Sequence, residues 1–451
     1  MKNLIPLSAI LLAAAVCADP ADPQISNVRL EQNGVSRRVT VRYDLDEAAV
    51  VTMDVLTNGV SIGGANIQAV GGDCFKKIPV GNNHVVTWDP HLSWPDHKFG
   101  PGIVSVRMTA WALDNTPDYM VVDVSSAAQP NTQTYYPSAD FVPGGVTNSL
   151  YKTTTLLMRK IIAKDVTWTM GSTALETQRA AAREGTHQVT LTNNYYIGVY
   201  EVTQSQWSQV ATNSSAAANF TTERFMRPME KVCYNEIRNA ANSTTVNTAY
   251  NWPNDPNPSS FLGLLRSKSG LDFDLPSESQ WEFAARAGNG VGYWNDGSPI
   301  LNANPDANLN LLGRYERNGG KVLSGTSYVD PAASCGVANG TAIVGSYAPN
   351  AWGLYDMHGN VWEWCLDWYQ ESIATATDAS GDNYNGRVNI DPSNAANYLS
   401  GASASGAGRV LRGGGWNSAA GSCRPAYRYY NSPSNRDSSR GFRLACTAGL
   451  Q

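Results

Sequence analysis

Four segments in the N-terminal quarter of the chain alternate between apolar and polar residues. Alternation of this kind places every second side chain on the same face of an extended strand, so that one face can be buried and the other solvated. The β-branched and aromatic residues that favour strands are frequent in all four. We therefore predict strands at residues 38–43, 50–56, 84–88 and 104–111.

Turn-forming residues separate these predicted strands. Asn58-Gly59, Gly71-Gly72 and residues 81–83 supply the glycine and asparagine that tight turns require. Short strands at this spacing are typical of two packed sheets. We predict an all-β sandwich of the immunoglobulin or fibronectin kind over residues 23–125, acting as a spacer or adhesion module, and nothing in it indicates a catalytic site.

The remainder of the chain divides into a connecting segment and a second, larger domain. Residues 126–150 are polar and rich in proline and glycine, which predicts a linker. Within residues 151–447, the pairs Thr203 with Gln206 and Ser277 with Gln280 have the spacing of a capping box. We predict a short helix after each of these caps, the first of them following a strand that begins at Tyr195.

Two tracts near the C-terminus have almost none of the periodicity of helices or strands. Residues 350–369 and 409–446 are dense in tryptophan, glycine, tyrosine and arginine. This composition suits a compact, loop-rich core in which indole rings stack, glycines permit tight turns and guanidinium groups satisfy buried carbonyls.

Together these tracts resemble the formylglycine-generating enzyme, or sulfatase-modifying factor, domain family. The resemblance covers residues 155–446 and includes the sequence TMGS at residues 169–172 and the segment LPSESQWEF at residues 275–283. It implies a variant of the C-type lectin fold, with two short helices, a small twisted sheet and much irregular structure. The fold class expected for the chain is an α+β, loop-rich lectin-like domain after an all-β sandwich.

The resemblance implies one calcium ion. Oxygen ligands suit this hard cation, and a tight turn that contains glycine can aim several of them at one point. Four positions match the family's calcium ligands: Asp356, Gly359, Val361 and Glu363. The alternative is that the two carboxylates cap local turns or pair with arginine. A second calcium site of the family is degraded, with Asn308 and Leu309 retained and Gly336 near the expected aspartate.

The resemblance also bears on catalysis. Active members of the family hold copper(I) between two cysteine thiolates five positions apart, behind a glycine pair. Counted from Gly413-Gly414, the second position is Cys423 and the first is Ser418. A serine hydroxyl cannot replace a soft thiolate on copper(I). We therefore expect no copper site, and Cys423 and Trp362 would be catalytic only in an active oxidase.

The resemblance suggests a different role for Cys423, a disulfide with Cys365, because this pairing is common in members that lack the first copper cysteine. A free thiolate of low pKa is the alternative. Six of the seven cysteines remain when Cys17 is set aside. An even number permits three disulfides in an oxidising compartment, and the residues alone leave their connectivity open.

The second tract has the composition of a binding surface. Tyrosine offers rigid contact area at low entropic cost, while serine and asparagine adapt to a ligand. The layout resembles the variable proteins of diversity-generating retroelements, and a solvated loop is the alternative. The predicted surface residues are Trp416, Asn417, Ser418, Ala420, Ser422, Tyr427, Tyr429 and Tyr430. Four arginines of this region either line a groove or are buried for structural reasons: Arg412, Arg424, Arg428 and Arg443.

The start of the chain and its charge narrow the class of protein. Lys2, an apolar stretch of about a dozen residues and small residues before Asp19 are typical of a secretory signal peptide over residues 1–18. Cleavage before Cys17, as in a lipoprotein, is the alternative. No stretch reaches the ~20 apolar residues of a membrane span. The formal net charge of −5, without a basic stripe, argues against a nucleic-acid partner.

These observations favour a secreted, periplasmic or cell-surface protein whose second domain binds an unknown protein or glycan. The main alternative is an oxidase that converts a sulfatase cysteine to formylglycine, with a sulfatase as its partner. This alternative requires a replacement for the missing copper ligand, and Cys365 is the nearest candidate in sequence. A third possibility is a structural or regulatory partner of an enzyme in the cell envelope.

Overall fold

The computed structural model divides the chain into two compact units. The first runs to Val122 and includes Thr132–Asn148 and the residues from Ala448, while the second comprises Asp123–Asn131 and Ser149–Thr447. The structure describes residues 22–97, 102–125, 132–174, 176, 178–180, 182–212, 217–239, 248–252, 254–290, 292–301, 305–320, 322–324, 327–329, 340–369 and 408–449. The predicted signal peptide lies outside these residues.

The first unit contains two antiparallel sheets and the additional strand pair β9–β10. One has the strand order β1-β2-β7-β5, and in the other β3 is flanked by β4, β6 and β8. Its elements are β1 (Ile25–Gln32), β2 (Val39–Leu45), β3 (Ala49–Thr57), β4 (Val60–Ser61), β5 (Val70–Gly72), β6 (Lys76–Ile78), β7 (Gly81–Trp88), α1 (Pro90–Ser93), β8 (Val104–Trp111), β9 (Tyr119–Asp123) and β10 (Thr134–Tyr136).

Alternation of side chains explains how these two sheets share a core. In β2, Val39, Val41, Tyr43 and Leu45 are buried, and the residues between them are partly exposed. Val51, Met53 and Val55 of β3 join the same apolar cluster. The two-sheet unit agrees with the predicted sandwich.

The predicted linker differs from the observed structure. Residues 132–148 belong to the first unit, where β10 pairs with β9 in antiparallel register. Tyr135 is fully buried, and Phe141 joins the core cluster of the sandwich. Because the predicted linker is mostly polar, the sequence analysis did not single out these two aromatic residues. Their burial attaches residues 132–148 to the sandwich. Residues 126–131 lie outside the described part of the chain.

The second unit combines short helices with several small sheets. One sheet contains β11, β14 and β21, β12 and β13 form a hairpin, as do β15 and β16, and the fourth has the order β19-β18-β17-β20. The elements are β11 (Thr155–Ile161), β12 (Val166–Met170), β13 (His187–Leu191), β14 (Tyr195–Gly198), α2 (Gln204–Val210), α3 (Phe261–Ser269), α4 (Glu278–Arg286), α5 (Leu309–Leu312), β15 (Val322–Ser324), β16 (Ser327–Val329), β17 (Trp362–Trp368), β18 (Arg409–Arg412), β19 (Tyr429–Asn431), β20 (Arg440–Gly441) and β21 (Ala445–Thr447).

Both predicted capping boxes are present. The Thr203 side chain accepts a hydrogen bond from the Gln206 amide, the Gln206 side chain accepts one from the Thr203 amide, and α2 follows. The Ser277–Gln280 pair starts α4 in the same way. Helix α4 buries Trp281 against the core beside β17, so this helix holds the first tract in place.

Candidate functional site

The fourth sheet brings the two C-terminal tracts together. Strand β17 carries the first tract, and β18, β19 and β20 come from the second. Glu363 lies opposite Arg412, and Trp362 lies opposite Arg440 in parallel register. The sheet therefore brings Trp362 and Glu363 of the first tract next to Arg412 and Arg440 of the second. The two tracts are separated by tens of positions in the sequence.

A row of aromatic rings follows this sheet. The Trp362 ring centroid lies 5.2 Å from that of Tyr429 and 5.9 Å from that of Tyr427. Tyr429 and Tyr430 are 6.2 Å apart, and Tyr430 stacks on Tyr369 at 4.1 Å. We call Trp362, Tyr427, Tyr429 and Tyr430 the aromatic strip. Trp362 is buried, whereas the three tyrosines are partly accessible to solvent, Tyr430 most of all at 38%.

Two residues of the predicted binding surface are interior residues. Trp416 is 1% exposed, donates from Nε1 to the Ser438 carbonyl at 2.9 Å and packs edge-on against Phe220. Ala420 is also buried, in a cluster with Cys423. The prediction was wrong for these two because composition does not distinguish an indole that anchors a turn from one that faces a ligand. The remaining six are partly exposed: Asn417, Ser418, Ser422, Tyr427, Tyr429 and Tyr430.

Ser418 has a structural role in the turn that follows β18. Its hydroxyl accepts a hydrogen bond from the Gly415 amide at 3.0 Å, and its carbonyl accepts one from the Glu316 amide at 3.1 Å. A Cβ at Gly415 would lie 3.1 Å from both Trp362 and Ser439, so a larger residue would have to push these neighbours back. The hydroxyl therefore stabilises a compact turn beside Trp362.

Cys423 is a buried thiol. It lies in an apolar cluster with Trp294, Leu309 and Tyr315. Removal from water raises the pKa of the Cys423 thiol far above its ordinary value, and the negative charge of Glu316 acts in the same direction. A thiol in such surroundings stays protonated near neutral pH and is a poor nucleophile and a poor metal ligand.

The four arginines of the second tract are buried and paired with glutamates. Arg412 contacts Glu282 and Glu278, Arg424 contacts Glu176 and Glu184, Arg428 contacts Glu278, and Arg443 contacts Glu363. Of the two interpretations of these arginines, the structure supports the structural one. These ion pairs hold segments from distant parts of the sequence around the sheet.

Glu363 is fully engaged by neighbouring donors. Arg443 donates to both carboxylate oxygens, from Nε at 2.6 Å and from Nη2 at 2.7 Å. Trp281 Nε1 donates to Oε2 at 2.6 Å. Asp356 differs, because its Oδ2 accepts from the Gly345 amide while its buried Oδ1 has no hydrogen-bond partner among the described residues.

A family model described as sulfatase-modifying factor enzyme 1-like domain matches residues 153–448. The chain belongs to this family. The match starts close to β11 and ends just after β21, so it covers all the strands and helices named above for the second unit. No family is assigned to the sandwich by this match.

Individual relatives match shorter stretches. A formylglycine-generating enzyme of Thermomonospora curvata is 33% identical over 180 residues, 38% of this chain and 48% of that enzyme. The chaperone protein LppX of Paenibacillus barcinonensis is 30% identical over 191 residues, 39% of this chain and 63% of LppX. Treponema denticola variable protein 1, a solved structure, is 25% identical with a TM-score of 0.44, covering 65% of this chain and 95% of that one. The chain spans about half the length of the formylglycine-generating enzymes it matches.

Only some of the side chains at the implied calcium positions of this sulfatase-modifying-factor-like domain are free to bind the ion. The free Oδ1 of Asp356 suits a hard cation. Glu363 does not, because the Arg443 guanidinium occupies the place where a cation would neutralise it. Within the described ranges, no group of three or more histidine, cysteine, aspartate or glutamate side chains is placed to hold a metal ion. Calcium binding stays a prediction, and Glu363 is no longer among its expected ligands.

The degraded second site is also occupied by protein contacts. The Asn308 side chain donates to the Pro299 carbonyl at 2.8 Å, and Leu309 is fully buried in the cluster around Cys423. Gly336 lies outside the described residues. These contacts give Asn308 and Leu309 packing roles at the start of α5.

The proposed disulfide is absent from the structure. Cys365 and Cys423 are free thiols. They lie in different apolar clusters, Cys365 with Trp281 and Cys423 with Trp294, so the two sulfurs pack in separate parts of the core. The prediction rested on the family pairing alone, and the sequence held no information on the distance between the two side chains.

Thiol labelling is expected to find the described cysteines free but protected in the folded protein. All five are buried: Cys74, Cys233, Cys365, Cys423 and Cys446. Alkylation followed by mass spectrometry, without reductant, should modify them only after denaturation, because water and reagent cannot reach them in the native state. If Cys365 and Cys423 resist alkylation in denaturant until a reductant is added, they are disulfide-bonded and this expectation is wrong.

Sequence reasoning missed one acidic side chain next to the calcium positions. Glu201 accepts hydrogen bonds from the Asn360 side chain at 2.6 Å and from the Val361 amide at 3.1 Å. Burial, reinforced by the charges of Asp356 and Glu363, raises the pKa of Glu201 well above its ordinary value. The sequence did offer one signal for this residue, which is the position of Glu201 just after the apolar residues of β14. A carboxylate that follows such an apolar segment is rarely buried unless it has a partner.

No helix in the described ranges is long and apolar enough to cross a bilayer.

Proposed function

We propose that the second unit is a lectin-like binding module without oxidase activity, acting outside the cytoplasm on a protein or glycan. The observation that carries the proposal is the chemistry at the two copper positions. Ser418 supplies a hydroxyl that already stabilises the turn at Gly415, and Cys423 supplies a buried, protonated thiol. A serine hydroxyl does not replace a thiolate on copper(I), and one buried thiol does not make a two-thiolate site.

The exposed part of the second tract supports binding as the function. Tyr429 and Tyr430 lie in β19 and Tyr427 just before it, while the polar residue Asn417 lies in the turn after β18 and Ser422 in a short 3-10 helix. Rigid aromatic groups on a fixed scaffold beside small polar groups are the composition of many binding surfaces. The similarity to a protein named as the chaperone LppX is compatible with a role other than oxidation.

The second candidate function is oxidation of a sulfatase cysteine to formylglycine. It is favoured by the retention of Cys423 and Trp362 and by the similarity to formylglycine-generating enzymes. It requires that Cys423 become accessible and ionised and that another thiol approach it. Cys365, the candidate named from the sequence, lies in a different core cluster.

A copper titration tests the choice between these functions. We expect the protein to take up no stoichiometric copper(I) in competition with a chromogenic chelator, and to leave the cysteine of a CxPxR-type peptide unchanged. Cys423→Ser is the matched control, and its copper uptake should equal that of the wild type. Tight one-to-one binding that is lost in Cys423→Ser, together with aldehyde formation in the peptide, would establish the oxidase instead.

A further inference from the structure

A polar cavity lies in the second unit and shares no residue with the aromatic strip. Its volume is about 250 Å³, and its lining comes from β14, α3, α4, β17, β21 and the segments around residues 252 and 272. Pockets for drug-sized ligands begin at roughly 300 Å³, so this cavity suits a ligand of about one ring. None of the copper or calcium positions lines it.

One part of the lining is apolar. Leu275 and Leu366 are 1% and 2% exposed, so the surrounding core holds both side chains in place. Trp252 lines the same cavity and is partly exposed. An indole ring combines a large apolar surface with one N–H donor at its edge. A ligand that fills the cavity therefore needs an apolar face of its own.

Two side-chain amides contribute hydrogen-bond donors. Asn194 Oδ1 accepts from the backbone amides of Ala163 at 2.9 Å and Lys164 at 3.0 Å. Gln280 Oε1 accepts from the Ser277 amide at 2.9 Å. These bonds engage only the side-chain oxygens, and each amide nitrogen carries two N–H donors. Both residues line the cavity and are partly exposed, so a ligand can reach them from solvent.

A carboxylate of the same lining supplies acceptors. The Arg266 guanidinium donates to Asp255 at 2.8 Å and to Asp274 at 3.3 Å. Its distance to Asp272 is 4.0 Å, which is longer than a hydrogen bond. The Asp272 side chain is 67% exposed, so its oxygens are open to a ligand. Acceptors and donors thus face one cavity that also has an apolar wall.

We infer that this cavity binds one neutral hexopyranose ring of a glycan. A sugar hydroxyl donates to a carboxylate and accepts from an amide, while the C–H groups of the ring give it an apolar face. An ammonium group has no lone pair for the amides, and an anionic ligand would be repelled by Asp255 and Asp272. The inference goes beyond the proposed function, because it concerns a site apart from the strip.

The test is saturation-transfer NMR of the full-length protein with methyl glucoside, methyl galactoside and methyl mannoside as separate probes. We expect saturable binding of at least one of them and weaker binding of methyl glucuronide, because its carboxylate meets Asp272. If no hexoside saturates, or if the glucuronide binds equally well, the inference is wrong. Saturable binding of N-acetyl-lysine N-methylamide in place of the hexosides would assign the cavity to a cationic side chain and would also overturn it.

Two variants place the sugar in this cavity. Asp272→Asn should weaken binding roughly tenfold, the loss expected for one hydrogen bond to a charged group, and should leave the thermal stability unchanged because the side chain is largely exposed. Trp252→Ala should weaken it as well. Glu223→Gln is the matched control, since Glu223 is exposed and does not line the cavity; it should bind as the wild type does. Unchanged affinity in both Asp272→Asn and Trp252→Ala would put the sugar elsewhere and contradict the inference.

This experiment and the copper titration fail separately. Copper uptake with aldehyde formation would overturn the proposed function and would not change the expected binding of the hexosides. Absence of copper uptake together with absence of hexoside binding would leave the binding module in place and overturn only the saccharide inference.

Discussion

Replacement of Arg443 by methionine is expected to destabilise the second unit by about 3–5 kcal/mol, the usual cost of removing one partner of a buried ion pair. Arg443 and Glu363 are both fully buried. The guanidinium also donates to the carbonyls of Gly198 and Tyr355, each at 2.9 Å. Without it, the Glu363 carboxylate stays buried near Asp356 and Glu201, whose charges oppose its own. Denaturant titration followed by tryptophan fluorescence measures the loss.

A control in the same unit separates burial from charge. Asp255 pairs with Arg266 at 2.8 Å but is 90% exposed, and Arg266 also contacts Asp274. Asp255→Asn should therefore cost less than about 1 kcal/mol, as is typical of surface pairs. A loss of similar size in both variants would contradict the argument from burial. Added calcium should not restore the stability of Arg443→Met if Glu363 needs its guanidinium partner.

Parts of the fold were predictable because their signals are local. The capping boxes at Thr203 and Ser277 consist of residues three positions apart, so the sequence alone specifies where α2 and α4 begin. The strands of the sandwich follow from alternation, since half of each strand faces a common core. The resemblance of the two tracts to a known family supplied the assignment of the second unit.

The candidate site was less predictable, because its geometry depends on contacts between distant segments. Glu363 and Arg443 are 80 positions apart, and Arg424 and Glu184 are 240 apart. The tracts lack periodicity, so nothing in the sequence distinguished buried Trp416 from exposed Tyr430.

The glycine pair after β18 shows how such contacts constrain the site. Gly414 has φ of +77°, a conformation that residues with a Cβ adopt only at a cost. A Cβ added there would lie 2.6 Å from Cys423 Sγ and 3.1 Å from the Ser422 carbonyl oxygen. Cys423 is thus held against the turn that carries Ser418, and its sulfur fills the space that a side chain at position 414 would need.

Gly414→Ala is accordingly expected to destabilise the second unit by about 2–5 kcal/mol, from roughly 1–2 kcal/mol for the left-handed backbone and about 1–3 kcal/mol for overpacking against the sulfur. Gly288 is the matched control, since it has φ of +88° and no atom within 4 Å of an added Cβ. Gly288→Ala should therefore show only the backbone cost.

The double variant Gly414→Ala, Cys423→Ala isolates the contact with the sulfur. Removing the sulfur relieves the closest clash, so the double variant should be more stable than the sum of the two single losses predicts. Native-state hydrogen exchange of the β17 and β18 amides measures each loss in the second unit alone. Additive losses would mean that Cys423 does not support this turn, and that its burial serves only the cluster around Trp294.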